Sequence, residues 1–304
     1  MRVTLIHNPS AGDDEQPEIE NLRGRIQMAG HVLLPQVADD DDWQAALAQP
    51  TDLIAVAGGD GTIGRVGKML LGRRGIPIAP LPMGTANNIA HTLGVADIPL
   101  EQLIDGWQSA DKIPFDAGRM TWPGGSGSFI EGIGAGLFAW VMPQADASQT
   151  LANLDQADAK IVYALQMLKD RVQHCPAVPV RSVLDGKDIS GVYIMFQAMN
   201  IQRVGPNLFI APDANPGDGL LDVILLAEDE RAKLWDYLSG WQHDHQLRPD
   251  LRYHRGRHLQ IDWSGYHLHL DDAMWPGEQS SVTAPARLEI VVEPAALSFL
   301  LPRK

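Results

Sequence analysis

Three short stretches hold residues whose types and spacing suit phosphate chemistry: Asn8-Pro9-Ser10-Ala11-Gly12, Gly58-Gly59-Asp60-Gly61-Thr62, and Pro82-Met83-Gly84-Thr85-Ala86-Asn87. Glycine lets backbone N–H groups approach an anion closely, and a helix that starts just after adds partial positive charge. Gly58, Gly59 and Gly61 supply the first property, while Thr62 and Thr85 add hydroxyls for phosphate oxygens. Asp60 is the odd member, because a carboxylate repels phosphate unless a cation lies between them. It makes sense there if it holds Mg2+ or orients the group that attacks a γ-phosphate. One such turn is equally a strand-to-helix corner that uses glycine for its backbone angles. Three at one sheet edge favour a phosphate site. The pattern is neither the dinucleotide GxGxxG nor a Walker loop.

Other chemistry-bearing residues read more plainly. Six of the ten histidines lie between His243 and His269, and on a strand His267 and His269 would share a face. With no third ligand at defined spacing, they read as solvent-facing strand histidines. Arg248, Arg252, Arg255 and Arg257 form a local basic patch, expected to be a solvated strand face, with a lipid or phosphate headgroup as the rival reading. Trp235, Tyr237 and Trp241 read as packing residues in a helical stretch, with contact to a membrane surface as the alternative.

The elements that must position the three turns follow from hydrophobic periodicity. Val3–Ile6, Val32–Leu34, Asp52–Ala57 and Ile76–Leu81 read as strands. Between and after them, Glu18–Ala29, Trp43–Ala48, Ile63–Leu71 and Asn87–Leu93 read as helices, the second preceded by the acidic run Asp39–Asp42. Alternating strands and helices predict an open, mostly parallel α/β sheet, whose ligands sit at the carboxyl ends of the strands where all three turns fall. After Ile113 short β-like runs dominate: Phe129–Ile133, Val178–Leu184, Gly191–Ala198, Leu220–Leu226, His258–Trp263 and His267–Asp271. They predict an antiparallel sandwich or barrel, interrupted by one long helix over 149–174 whose apolar face packs on the β-rich core. The chain closes with runs at Leu288–Val292 and Leu297–Leu301. The expected division is an α/β domain of residues 1–113 and a β-rich domain of residues 114–287, with a cleft between them.

Bulk composition removes several function classes. The 304 residues carry a formal charge of −14, which argues against a nucleic-acid partner and against electrostatic adhesion to anionic lipid. Cys175 is the single cysteine, so no internal disulfide forms, in keeping with a reducing compartment. The opening MRVTLIHNPSAG lacks the apolar stretch of a signal peptide, and no run approaches ~20 apolar residues. A cytoplasmic protein, at most transiently at a membrane surface, is expected.

The three turns, in this order and with Asn88-Ile89-Ala90 continuing the third, resemble the diacylglycerol kinase catalytic domain family, which includes bacterial lipid kinases and sphingosine kinases. Phe115-Asp116-Ala117-Gly118, the segment from Asn200 to Val223 and Tyr253–Ile261 carry the likeness through the second half. NAD kinases share the GGDGT element and stand second. The resemblance implies an ATP-binding α/β domain to which residues 288–304 return, a β-rich acceptor domain and a lipid hydroxyl such as that of diacylglycerol as phosphoryl acceptor. It implies ATP contacts at Gly58, Gly59, Asp60, Gly61, Thr62, Ile63, Gly64, Gly84, Thr85 and Asn87, with Asn8 near the nucleotide. It also implies a structural Mg2+ held by Asp218 and by the backbone carbonyls of Asn215 and Leu220. The bare residues of Asp213–Asp222 read instead as a polar hairpin turn.

One departure bears on catalysis. The family carries Asp-Gly-Glu after a late strand, with the glutamate as proton acceptor, whereas this chain reads Asp271-Asp272-Ala273. Asp271 is the expected base and Asp272 the reserve, with Glu278 as a third carboxylate in the following loop. The alternatives are a nucleotide- and lipid-binding protein with little turnover and a kinase of a soluble acceptor, NAD or a small alcohol. Asn88, where many relatives carry Asp, reads as a subgroup difference at a helix start.

Overall fold

The computed structural model describes residues 1–12, 17–35, 43–73, 75–277 and 280–303. The acidic run Asp39–Asp42 and Glu278 lie outside them. The chain divides into two units: Met1–Phe115 with Asp155–Ala157 and Ala295–Lys304, and Asp116–Leu154 with Asp158–Pro294.

The first unit is an α/β layer. Its elements are β1 (Arg2–His7), α1 (Ile19–Met28), β2 (Val32–Leu33), α2 (Trp43–Ala48), β3 (Leu53–Gly58), α3 (Asp60–Leu70), β4 (Ile78–Pro82), α4 (Asn88–Leu93) and α5 (Leu100–Gly106). β1, β3 and β4 pair in parallel, with Val3 opposite Leu53 and Ile54 opposite Ile78, and β2 extends the sheet beyond β1. Every residue of β3 is buried, as a strand covered on both faces requires, which is why it reads as an unbroken apolar run. α3 buries Ile63, Val66 and Leu70, the i, i+3, i+7 stripe of an amphipathic helix. Leu5, Leu22, Ile26, Leu81 and Trp107 share the core under the sheet.

The second unit is antiparallel and β-rich. Its elements are β5 (Asp111–Trp122, whose first residues belong to the first unit), β6 (Gly125–Phe129), β7 (Gly132–Gly136), α6 (Leu137–Asp146), α7 (Gln149–Ala152), α8 (Ala157–Val172), β8 (Val178–Leu184), β9 (Lys187–Asp188), β10 (Gly191–Met199), β11 (Leu221–Ala227), α9 (Arg231–Trp241), β12 (Arg252–Gly256), β13 (His258–Trp263), β14 (Leu268–Leu270), β15 (Ala273–Trp275) and β16 (Ala286–Leu301). The order β15-β14-β7-β10-β11-β12 forms one run of neighbours. β8 joins it to a second run, pairing with β10 through Val178–Val180 and with β13 through Arg181–Leu184. Phe129, Phe196, Leu259, Trp263 and Leu288 lie in the core of this unit.

Several elements differ from the expectations in informative ways. The helix expected over 149–174 is two helices, α7 and α8, separated by Asn153–Gln156, and only Leu165, Leu168 and Val172 of α8 are buried. The strand expected over Phe129–Ile133 breaks at Ile130-Glu131 into β6 and β7. The two closing runs are one strand, β16. Its Ala286–Val291 stretch pairs with β13, which places residues 288–294 with the β-rich unit, while Phe299 pairs with Ile78 in the first unit. Among the described residues no helix is long and apolar enough to cross a membrane.

Candidate functional site

In the first unit the three turns meet at the carboxyl end of β1, β3 and β4, and their contacts explain their composition. A Cβ on Gly59 would lie 2.9 Å from the Cα of Gly84, so the second and third turns touch backbone to backbone only because both positions are glycine. Met83 N–H donates to Gly58 O at 3.1 Å across the same junction. Asn8 adds the first turn: its Nδ2 donates to Thr62 Oγ1 at 3.0 Å, while its Oδ1 accepts from Ser10 N. Thr62 is therefore buried against Asn8 rather than open to solvent.

Asp60 answers for its place among the glycines here. Its two carboxylate oxygens accept from Asn88 N and Ile89 N, each at 2.8 Å, so the residue that opens α3 caps the start of α4. An anion on helix N–H groups is the favoured pairing. Asn87, at φ 50°, closes the third turn on itself: Gly84 N donates to its Oδ1 at 2.9 Å and its Nδ2 donates to Gly84 O at 2.8 Å. The first intrahelical bond of α3 runs from Ile63 N to Gly59 O at 3.0 Å. The N–H groups of Asp60, Gly61 and Thr62 precede it in the first turn, where the helix itself offers no acceptor. Gly61 is exposed, Thr85 is half-buried, and Ile63 and Gly64 are buried. The first unit thus presents a rigid turn cluster with helix N–H groups at its edge, a geometry suited to an anion.

In the second unit Asp271 stands at φ 51° with its carboxylate on three amides. Oδ1 accepts from Glu131 N at 2.8 Å and Gly132 N at 3.2 Å, and both oxygens accept from Ile130 N at 3.0 Å. Asp271 N donates back to Gly132 O at 2.8 Å. These bonds account for the break between β6 and β7, and they give Asp271 an anchoring duty that the sequence reading assigned to proton transfer. Asp272 and Ala273 beside it are exposed.

A buried polar network supports this turn, and sequence reasoning missed it. His269 is buried, not solvent-facing, with Nδ1 3.0 Å from Asp271 O and Nε2 2.8 Å from the Gln197 amide. Burial lowers its pKa and keeps the ring neutral, so Nδ1 donates to the carbonyl and Nε2 accepts. Gln197 Oε1 faces Nε2 and its NH2 group is left without a partner; exchanging the two ends of the amide would give Nε2 a donor and satisfy that nitrogen. Asn200 Nδ2 donates to Asp116 O at 3.0 Å and to Ile130 O at 2.8 Å. Asn200 and Asp116 sit in the stretches that carried the resemblance. Gln197 and His269 had no signal, because a polar residue on a wholly buried strand is told from an exposed one only by its neighbours.

The residues implied to hold Mg2+ do not fit a metal. Asp218 Oδ1 accepts from Leu220 N at 3.0 Å, and its Oδ2 is in a close ion pair with Arg255. Asn215 O accepts from Asp218 N, and Asn215 Oδ1 from Gly217 N. Asp116 Oδ2 accepts from Gly219 N at 2.7 Å and pins the same turn from below. Among the described residues no group of three or more His, Cys, Asp or Glu side chains is arranged to hold a metal. Of the basic patch, Arg255 also reaches Asp222, and Arg248 pairs with Asp213 at 3.2 Å. Tyr237 and Trp241 are buried, whereas Trp235 is exposed beneath Lys169.

Comparison with known proteins agrees with this architecture. Residues 2–120 match the family model of the diacylglycerol kinase catalytic domain, and residues 133–301 that of the YegS C-terminal NAD kinase beta sandwich-like domain. A diacylglycerol kinase of Mycobacterium tuberculosis (strain CDC 1551 / Oshkosh) is 27% identical over 321 residues, covering 99% of this chain and 96% of that protein. The crystal structure of a diacylglycerol kinase from Bacillus anthracis str. Sterne superposes with a TM-score of 0.71 at 19% identity, covering 99% of this chain and 96% of that one. The fold extends to an NAD kinase from Archaeoglobus fulgidus in complex with ATP, with a TM-score of 0.51 at 11% identity over 100% of this chain and 94% of that one. The fold is that of the diacylglycerol kinase and NAD kinase group. The chain carries a diacylglycerol kinase catalytic domain over residues 2–120 and belongs to the family of the YegS C-terminal NAD kinase beta sandwich-like domain, which matches more than half of it.

Proposed function

We propose that this protein is an ATP-dependent lipid kinase that transfers the γ-phosphoryl group to a hydroxyl of a lipid such as diacylglycerol. The observation that carries the reading is the turn cluster of the first unit, where Asp60 is turned onto α4 and the first N–H groups of α3 face an edge suited to phosphate. ATP would arrive as its Mg2+ complex and rest its phosphates on Gly59–Thr62 and Gly84–Thr85. The acceptor oxygen attacks the γ-phosphorus, the bond to the β-phosphate oxygen breaks, ADP leaves, and the hydroxyl proton passes to a carboxylate. That carboxylate is assigned to Asp272, because the oxygens of Asp271 are engaged by three amides while Asp272 is exposed on the same turn.

Ala273 favours a second reading, a nucleotide- and lipid-binding protein with little turnover, because a methyl group accepts no proton. The NAD kinase likeness of the fold supports a third, a kinase of a soluble acceptor. One experiment separates them: ATP consumption by the purified protein with Mg2+ against diacylglycerol, sphingosine, phosphatidylglycerol and NAD. Turnover on a lipid that collapses in Asp272→Asn upholds the proposal. Turnover on NAD without detergent moves the reading to a soluble substrate. ATP binding without turnover on any acceptor moves it to a binding protein.

A further inference from the structure

The loop residue Asp213, Asp218 of the turn Asn215–Leu220 and Asp222 of β11 form an acidic set next to the backbone carbonyls that oxygen-loving cations favour. The chain itself supplies a cation to this set. Arg255 lies directly opposite Asp222 in the antiparallel register of β11 and β12, so the two side chains project from the same face. From there its Nη2 closes on Asp218 Oδ2 and its Nε lies 3.3 Å from Asp222 Oδ1. One guanidinium therefore bridges a carboxylate of the turn and a carboxylate of the strand. Asp222 is buried at 2% exposure and its ordinary charge needs a partner.

Access does not explain the arrangement. A cavity of about 140 Å³ lined by Ile210, Pro212, Asp213, Asp222, Arg248 and Tyr253, among others, borders the acidic set, with room for a hydrated approach. Charge and geometry explain it better. Arg255 engages the outer oxygen of Asp218 while Leu220 N engages the other, which leaves that carboxylate without an oxygen that a metal could take unopposed.

We infer that Arg255 is the resident cation of this turn, so that the chain builds with a covalently supplied guanidinium what a bound divalent cation would otherwise do. The inference concerns the folding of the second unit and is independent of the kinase reading. It predicts that stability of the nucleotide-free protein is indifferent to divalent cations at this site, and that removing Arg255 creates a dependence on them.

The test is thermal unfolding of the nucleotide-free full chain in EDTA and in MgCl2 or CaCl2, for wild type, Asp218→Asn and Arg255→Ala, with metal analysis of the wild type. The expected result is a wild-type Tm unchanged by metal, no stoichiometric metal in the purified protein, and an Arg255→Ala protein whose Tm falls by several degrees in EDTA and recovers in part with metal. A wild-type response that persists in Asp218→Asn arises elsewhere and also upholds the inference. A wild-type response, or a stoichiometric metal, that Asp218→Asn abolishes overturns it. So does an Arg255→Ala protein as stable in EDTA as the wild type. If Arg255→Ala yields no soluble protein, the comparison of wild type with Asp218→Asn and the metal content still decide.

Discussion

Asp60 and Asp271 sit in different units and do the same kind of work by different means. Asp60 accepts two N–H groups at the start of a helix, and Asp271 accepts three at the break between two strands. In the first unit, capping α4 turns the carboxylate aside, so the glycine-rich turn keeps its N–H groups for an anion. In the second, capping Ile130–Gly132 holds both Asp271 oxygens on amides, while the neighbouring Asp272 is exposed. The lesson is that an acid placed in a turn motif can serve the backbone first, with both of its oxygens taken by main-chain N–H groups.

Five measurements would break or sharpen this contrast. The largest effect is expected from Asp272→Asn, which should lower kcat by roughly 10²–10⁴-fold with ATP affinity unchanged. Equal turnover in the variant would return the proton acceptor to another group. Asp271→Ala should come next, destabilising the protein by about 3 kcal/mol in denaturant unfolding, because three amides lose a charged acceptor. A loss under half that size would show that solvent satisfies those amides and that the anchoring matters little.

Gly84→Ala should then loosen the junction with Gly59 and weaken ATP binding by about tenfold in calorimetry, since only displacement of one turn makes room for the methyl group. Asp60→Asn should weaken it less, because an amide oxygen still caps one N–H of α4, at a cost of about 1 kcal/mol in stability. An Asp60→Asn protein that binds ATP normally but transfers no phosphoryl group would instead give Asp60 a direct part in the reaction.

A pH dependence completes the set. Burial pushes the Asp222 carboxyl up to about 6, against the pull of Arg255. Its folded-state pKa lies above the ordinary 3.8, so the folded protein binds the extra proton, and this contribution to stability is full below about 3.8 and lost as pH rises through about 6. Asp222→Asn should flatten the stability profile across that window, up to about 2 kcal/mol given the burial of the group. A profile unchanged in the variant would show that Arg255 fully offsets the burial.

The α/β half was largely legible in advance because its signals are local. β3 is an unbroken apolar run, α3 has a 3.6-residue stripe, and each turn announces itself by glycine or Asn-Pro. The β-rich half was legible in its strands and less so in their ends. β6 and β7 read as one strand because the interruption at Ile130-Glu131 is made by Asp271, 139 to 141 residues away in the chain. α7 and α8 read as one helix because Leu151, Leu154 and Ile161 continue the spacing across a break, yet none of the three is fully buried. β16 read as two runs because Glu293-Pro294 interrupts the apolar pattern without ending the strand.

By itself the sequence determined the order of the elements, the position of the three turns at the ends of parallel strands, and the likeness to lipid kinases, since each rests on residue type and short spacing. Only the tertiary structure decided what the carboxylates do. Whether Asp60 faces a phosphate or α4, whether Asp271 accepts a proton or three amides, and whether Asp218 meets a metal or Arg255 depends on partners 28 to 141 residues distant. A carboxylate is drawn to the nearest unsatisfied donor or cation, and the fold chooses which one that is.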